Sequence, residues 1–115
     1  TLKDRGLFLL DSGGQYFDGT TDITRTFALG ELTEEEKYHF TTVARAMIRL
    51  SDVKFLHGVN GYYLDILARG ILWNEGLNYN HGTGHGVGHV LNVHEGPNGF
   101  RLDNKESAIL RHDNY

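Results

Sequence analysis

The sequence predicts an α+β domain in which an antiparallel sheet is covered by two helices. Three observations predict it. Residues 7 to 30, "LFLLDSGGQYFDGTTDITRTFALG", set β-branched and aromatic residues on either side of a Gly-rich middle. Two later stretches repeat apolar residues at helical spacing. Residues 80 to 97, "NHGTGHGVGHVLNVHEGP", carry too much glycine for a helix.

Each element follows from local chemistry. The first stretch reads as a β-hairpin, with Asp18-Gly19 as its turn signal. With Gln15 opposite Thr20, Asp11 faces Thr24 and lies diagonal to Asp22, and Gly13-Gly14 offers room for a bulge. Thr33 and Glu36 form a capping box, and Glu34 and Glu35 suit the positive end of a helix dipole. The helix that starts there runs to about Ser51. Its stripe of Phe40, Val43, Ala44, Met47 and Ile48 is expected to face a sheet. A second helix carries Leu64, Leu67, Ala68, Ile71 and Leu72, with Asp65 and Arg69 as an i, i+4 pair and Gly76 as its stop. "VLNVHEGP" reads as a strand with a turn at Pro97, followed by a polar tail around Asn104 to Ser107.

Composition bounds the function. A chain of 115 residues fits one domain with a modest core. Hydrophobic residues at 39% and charged residues at 23% fit a globular chain rather than disorder or a membrane protein. A net charge of −4 with no run of Lys or Arg argues against nucleic acid as a partner. The chain has no cysteine, which removes disulfides and thiolate metal sites. No apolar run has the length of a membrane span, and "TLKDRG" has no signal-peptide core, so a cytoplasmic location and no membrane partner are expected.

The histidine segment holds four histidines and five glycines. His81, His85 and His89 are spaced by four, which on a helix would resemble a zinc site. Yet Gly82, Gly84, Gly86 and Gly88 would cost a helix roughly 4 kcal/mol together, so the backbone is extended or looped. Such glycines allow main chain to approach a ligand or a neighbouring strand closely. Their spacing also fails the dinucleotide fingerprint, because Val87 or His89 stands where its last glycine belongs. A histidine taken singly is more often structural, and His39, His57 and His112 are read that way. Four in one segment suggest chemistry. Asp11 and Asp22 are the acidic candidates to meet them. Asp11 would stand on an apolar strand, where an unpaired carboxylate is costly. The two aspartates could hold a metal ion, or bond backbone amides or Arg25.

"LLDSGGQYFDGTTDITRTF" with "HGTGHGVGHVLNVHEGP" resembles the metal-dependent Xaa-Pro aminopeptidases (aminopeptidase P). These belong to the pita-bread superfamily with prolidase, creatinase and methionine aminopeptidase. The resemblance runs from about Leu7 to Gly99, and "HEGP" is closer to aminopeptidase P than to prolidase. It implies a partial pita-bread fold, with Asp11, Asp22 and His85 as metal ligands and His81 and His94 as histidines that meet substrate and stabilise the intermediate. His89 matches no role in the family.

The family completes its site with two later glutamates, one in a Glu-Pro-Gly motif that this sequence lacks. Glu95 and Glu106 are poor substitutes. The expectation is therefore a single fragment, residues 1–115, from the centre of a catalytic domain and truncated at both ends, with little activity of its own. The implied reaction of the parent is removal of an N-terminal residue that precedes proline, through two divalent ions that polarise the carbonyl and activate water. Mn²⁺ is the expected ion, with Zn²⁺ or Co²⁺ also compatible with the donors. Prolidase activity and a non-catalytic pita-bread binding module are the alternatives. Exposed strand edges and helix faces imply a homo-oligomer.

Overall fold

The computed structural model describes residues 1–90, 92–103 and 109–110. The polar tail from Asn104 to Ser107, with Glu106, and His112 lie outside the described residues.

Strand β1 (Leu7–Ser12) leads into the short β2 (Gln15–Tyr16), a turn on Phe17 and Asp18, β3 (Gly19–Thr20) and β4 (Ile23–Ala28). β1 pairs antiparallel with β4 and places Asp11 opposite Thr24, while Gln15 pairs with Thr20, the register that the turn dictates. The ribbon is interrupted between the two pairs. Thr21 donates its amide to the Gly14 carbonyl at 2.9 Å and accepts the Gly14 amide on Oγ1 at 2.9 Å. A Cβ on Gly13 would stand 2.8 Å from the Thr21 carbonyl oxygen, so the break needs glycine there.

Helix α1 (Glu34–Ser51) begins with the full capping box. Glu36 Oε2 accepts from the Thr33 amide at 2.8 Å, and Thr33 Oγ1 accepts from the Glu36 amide at 3.2 Å. Helix α2 (Gly61–Asn74) ends at Glu75, and Gly76 follows with φ +70°, the left-handed stop that glycine supplies. The two helices pack on each other. Their core is Ala46, Ala68 and Leu72, with Leu50, Ile71, Leu77 and Tyr79 against it.

Strand β5 (Gly84–Val87) pairs antiparallel with β6 (His94–Phe100), onto which the start of α2 also packs. The register jumps between His85, opposite Gly99, and Gly86, opposite Glu95, so Gly96, Pro97 and Asn98 bulge out. The turn expected at Pro97 is thus a bulge inside a continuing strand, because residues on both sides of it find partners on β5. Ile109 bridges Asn60, and the Leu110 amide reaches the Val59 carbonyl at 3.1 Å.

Two further expectations are corrected. The stripe of Phe40, Val43, Met47 and Ile48 on α1 does not face a sheet and is 45 to 59% exposed. The face that α2 covers is that of Thr42 and Ala46, because small side chains let the helix axes approach. Asp11 is not a buried carboxylate on an apolar strand. β1 is exposed except at half-buried Phe8, and Leu9 and Leu10 face solvent as Asp11 does. The radius of gyration, 16.0 Å, accordingly exceeds the roughly 13 Å of a compact chain of this length.

Candidate metal centre

Asp22 occupies the extended step between Thr20 and β4, and His85 is the second residue of β5. These places bring Asp22 Oδ2 to 3.1 Å from His85 Nε2. His94 opens β6 opposite Val87, two residues from His85, so it lies diagonal to His85 on one face. Their rings meet edge to face, with centroids 4.1 Å apart. One donor atom each of Asp22, His85 and His94 falls within 4.8 Å of the others.

The His85 ring carries the chemistry. Its Nδ1 lies 2.8 Å from the Gly86 carbonyl oxygen, which only accepts, so the ring proton is assigned to Nδ1. A neutral ring so bonded directs the bare lone pair of Nε2 at a carboxylate oxygen. Two acceptors then face each other, and only a proton or a metal cation between them makes the contact favourable. An Nδ1–H bonded to a carbonyl with Nε2 left free is how metal-ligating imidazoles are held. Ligands 2.0–2.2 Å from one ion stand roughly 3 Å apart, which the Asp22–His85 spacing matches. The residues present fit a divalent ion.

The other expected residues are placed as follows. Asp11 stands outside this cluster, and with Asp22, Gln15, Thr20 and Val93 it lines a cavity of about 350 Å³. His81 lines a different cavity with Tyr79, Arg69 and Arg101, its Nδ1 2.6 Å from the Gly82 carbonyl and its ring against Tyr79. His89 is in the bend after β5, where its carbonyl accepts from Thr20 Oγ1 at 3.3 Å. Glu95 borders a third cavity with Asp18 and His89. The glycines admit close backbone passages: a Cβ on Gly86 would lie 2.5 Å from the Glu95 carbonyl oxygen.

A buried ion pair on α2 was not legible in the sequence. Asp65 and Arg69, which on spacing alone look like a surface pair, are buried, with Nε 2.6 Å from Oδ2. The same guanidinium donates to the Tyr79 and His81 carbonyls at 2.7 and 2.9 Å, and Asp65 accepts the Thr83 hydroxyl at 2.8 Å. The hydrogen bonds to Asp65 push the Arg69 pKa still higher. Burial raises the Tyr79 phenol, and Arg69 opposes that rise. The available signal was position: Asp65 and Arg69 each follow a core leucine or alanine, Leu64 and Ala68.

Comparison with known proteins places this geometry. Residues 1–114 match the metallopeptidase family M24. A protein of Laccaria bicolor named "Probable Xaa-Pro aminopeptidase P" is 54% identical over 99 residues, which are 86% of this chain and 15% of that protein. One of the same name from Tuber melanosporum is 53% identical over 110 residues, 94% of this chain and 18% of that protein. The chain therefore spans less than a fifth of the length of these relatives. Among solved structures, an X-prolyl aminopeptidase of Caenorhabditis elegans, described as a cytosolic enzyme with a di-nuclear active site, superposes with a TM-score of 0.85 at 48% identity, covering 91% of this chain and 17% of that one. Prolidase from Pyrococcus furiosus gives a TM-score of 0.78 at 30% identity, covering 93% and 31%. The α+β arrangement is thus part of the pita-bread fold. By its near-complete match and these identities, the chain belongs to metallopeptidase family M24.

Proposed function

We infer that the chain carries part of a dinuclear metal site in a peptidase that removes the N-terminal residue from peptides with proline at the second position. The observation that carries this is the Asp22–His85–His94 cluster, with the His85 lone pair aimed at a carboxylate. Asp22 and His85 are assigned as ligands, and Asp11, on the cavity it shares with Asp22, as a third. Two carboxylates with one imidazole favour Mn²⁺, with Zn²⁺ or Co²⁺ as substitutes. Divalent ions, when bound, supply polarisation of the scissile carbonyl and a more acidic water.

The chain's own residues orient and donate. His94, whose ring meets that of His85 edge to face, is assigned as the donor to the charge that develops on the carbonyl oxygen. His81, on the neighbouring cavity, is assigned a contact to substrate apart from the metal. A cytosolic setting accords with the description of the nematode enzyme, and among the described residues no helix is long and apolar enough to cross a membrane. The exposed stripe of α1 and the open β1–β4 ribbon favour self-association into a homo-oligomer. Prolidase activity is less favoured, since the aminopeptidase relatives are the more identical. A pure binding module has no use for the cluster.

Titration of the chain with Mn²⁺ by calorimetry tests the reading. A Kd tighter than about 10 μM, or about −7 kcal/mol, that disappears in an Asp22→Ala, His85→Ala double variant is the expected result. A wild-type chain that takes up no Mn²⁺ would sink the assignment of a site to these residues alone.

A further inference from the structure

We propose that the buried Asp65–Arg69 pair on α2 is a positioning device that sets where the His85 strand enters the metal cluster; the proposal rests on the metal-site reading above.

All five N–H groups of Arg69 are engaged. Nε and one Nη2 hydrogen meet Asp65 at 2.6 and 3.0 Å, and the other Nη2 hydrogen meets the His81 carbonyl at 2.9 Å. Nη1 serves the Tyr79 carbonyl at 2.7 Å and Asn78 Oδ1 at 3.3 Å. Asp65 in turn receives Thr83 Oγ1 at 2.8 Å, and the Thr83 amide donates to the Phe100 carbonyl at 2.7 Å, the bond that starts the β5–β6 pairing. One ion pair on a helix thus holds the alternate residues Tyr79, His81 and Thr83 as well as the Asn78 side chain, and His85 follows two residues after Thr83. A planar, fixed fork suits this task, because it defines the direction of each carbonyl as well as its distance. A stability role alone has no need of it: an apolar pair of similar volume often replaces a buried ion pair at no loss. The pair touches neither Asp22 nor His94, so it acts only through the backbone it holds.

The test uses the 115-residue chain with an Asp65→Leu, Arg69→Met double variant and a separate Arg69→Lys variant, which keeps the charge but lacks the fork. Three quantities are read: the thermal midpoint, the Mn²⁺ affinity by calorimetry, and the ¹⁵N signals of the His85 imidazole and the backbone amides of residues 81 to 85. Positioning predicts folded variants whose Mn²⁺ Kd is at least tenfold weaker and whose His85 and 81–85 signals are displaced. A variant with a lowered midpoint but wild-type Kd and unmoved signals would reduce the pair to a structural role and overturn the proposal. If the double variant does not fold, Arg69→Lys gives the same reading. If the wild-type chain itself takes no Mn²⁺, the site reading fails, and the ¹⁵N signals still decide the positioning claim, displaced signals supporting it and unmoved ones refuting it.

Discussion

Asp22 Oδ2 lies 3.1 Å from His85 Nε2, and with the ring proton assigned to Nδ1, 2.8 Å from the Gly86 carbonyl oxygen, the two atoms face each other as acceptors. This relationship separates metal binding from folding. Asp22→Asn gives the Nε2 lone pair an amide donor in place of a carboxylate oxygen. The metal-free variant is expected to be as stable as the wild type or up to about 1 kcal/mol more so. Its Mn²⁺ affinity should fall at least about tenfold, since the ligand charge is gone. Paired melting curves and calorimetry check both halves, and an Asn variant that is plainly less stable without metal would contradict the facing-acceptor account.

The capping box of α1 is expected to show itself in acid. The backbone and hydroxyl hydrogen bonds of Thr33 hold the Glu36 carboxyl below its ordinary value. A lowered folded pKa means that the unfolded chain takes up the proton first, so this contribution is complete above the usual carboxylate range and is lost as pH falls through the folded value. Melting midpoints from pH 6 to pH 2 should therefore fall less steeply for Glu36→Gln than for wild type. Thr33→Ala, which removes the cap itself, should cost about 1 kcal/mol near neutrality.

An alkaline counterpart joins the two helices. The Tyr38 hydroxyl on α1 donates to Glu75 at the end of α2, and that bond, ahead of the charge of Glu75, raises the phenol above its ordinary value. The contribution is complete below the unfolded phenol's pKa and is lost as pH rises through the folded one. Tyr38→Phe should flatten the decline of the midpoint between pH 9 and pH 12, and an unchanged decline would assign that arm to other groups.

Two glycines of α2 should respond in opposite directions. A Cβ at Gly61 would stand 2.3 Å from the Gly99 carbonyl oxygen, where backbone cannot yield, and Gly61→Ala is expected to cost about 1–3 kcal/mol. Gly70 lies inside the helix with nothing within 4 Å of such a Cβ, and Gly70→Ala should gain up to about 1 kcal/mol. Denaturant midpoints of the two variants on opposite sides of wild type would verify that α2 rests directly on the β6 backbone.

The exposed stripe of α1 carries the association prediction. Sedimentation of the wild-type chain should show mass rising with concentration, and Met47→Lys with Ile48→Glu should reduce it. A monomer at every concentration in both chains would remove the homo-oligomer from the reading.

What could be read from the sequence was local. The Thr33–Glu36 cap, the Gly76 stop and the Gln15–Thr20 register depend on residues within a few positions of one another, and the structure has all three. The face of α1 was not legible, because Phe40, Val43 and Met47 outweigh Thr42 and Ala46 in apolarity, and only α2 selects the smaller pair. The burial of Asp65 and Arg69 was hidden for the same reason: an i, i+4 pair has one spacing whether it meets water or carbonyls. At the site, the residue types and the extended backbone around His85 were legible from the glycines. That His94 joins Asp22 and His85 while His81 turns to another cavity depends on the register jump of β5 and β6, which no local signal announces.

The turn at the tip of the first ribbon touches the histidine loop through Thr20 and His89, sixty-nine residues apart in the chain. Such a contact encloses both helices, and closing so long a loop is entropically costly until their packing has shortened it. The expected order of assembly is capped helix and hairpin first, helix against helix next, and the junction of Asp22 with His85 last. On that order, native-state hydrogen exchange is expected to show the amides around residue 85 in the least protected cooperative unit, and a ligand bound there would act as the clasp on the whole sequence of events.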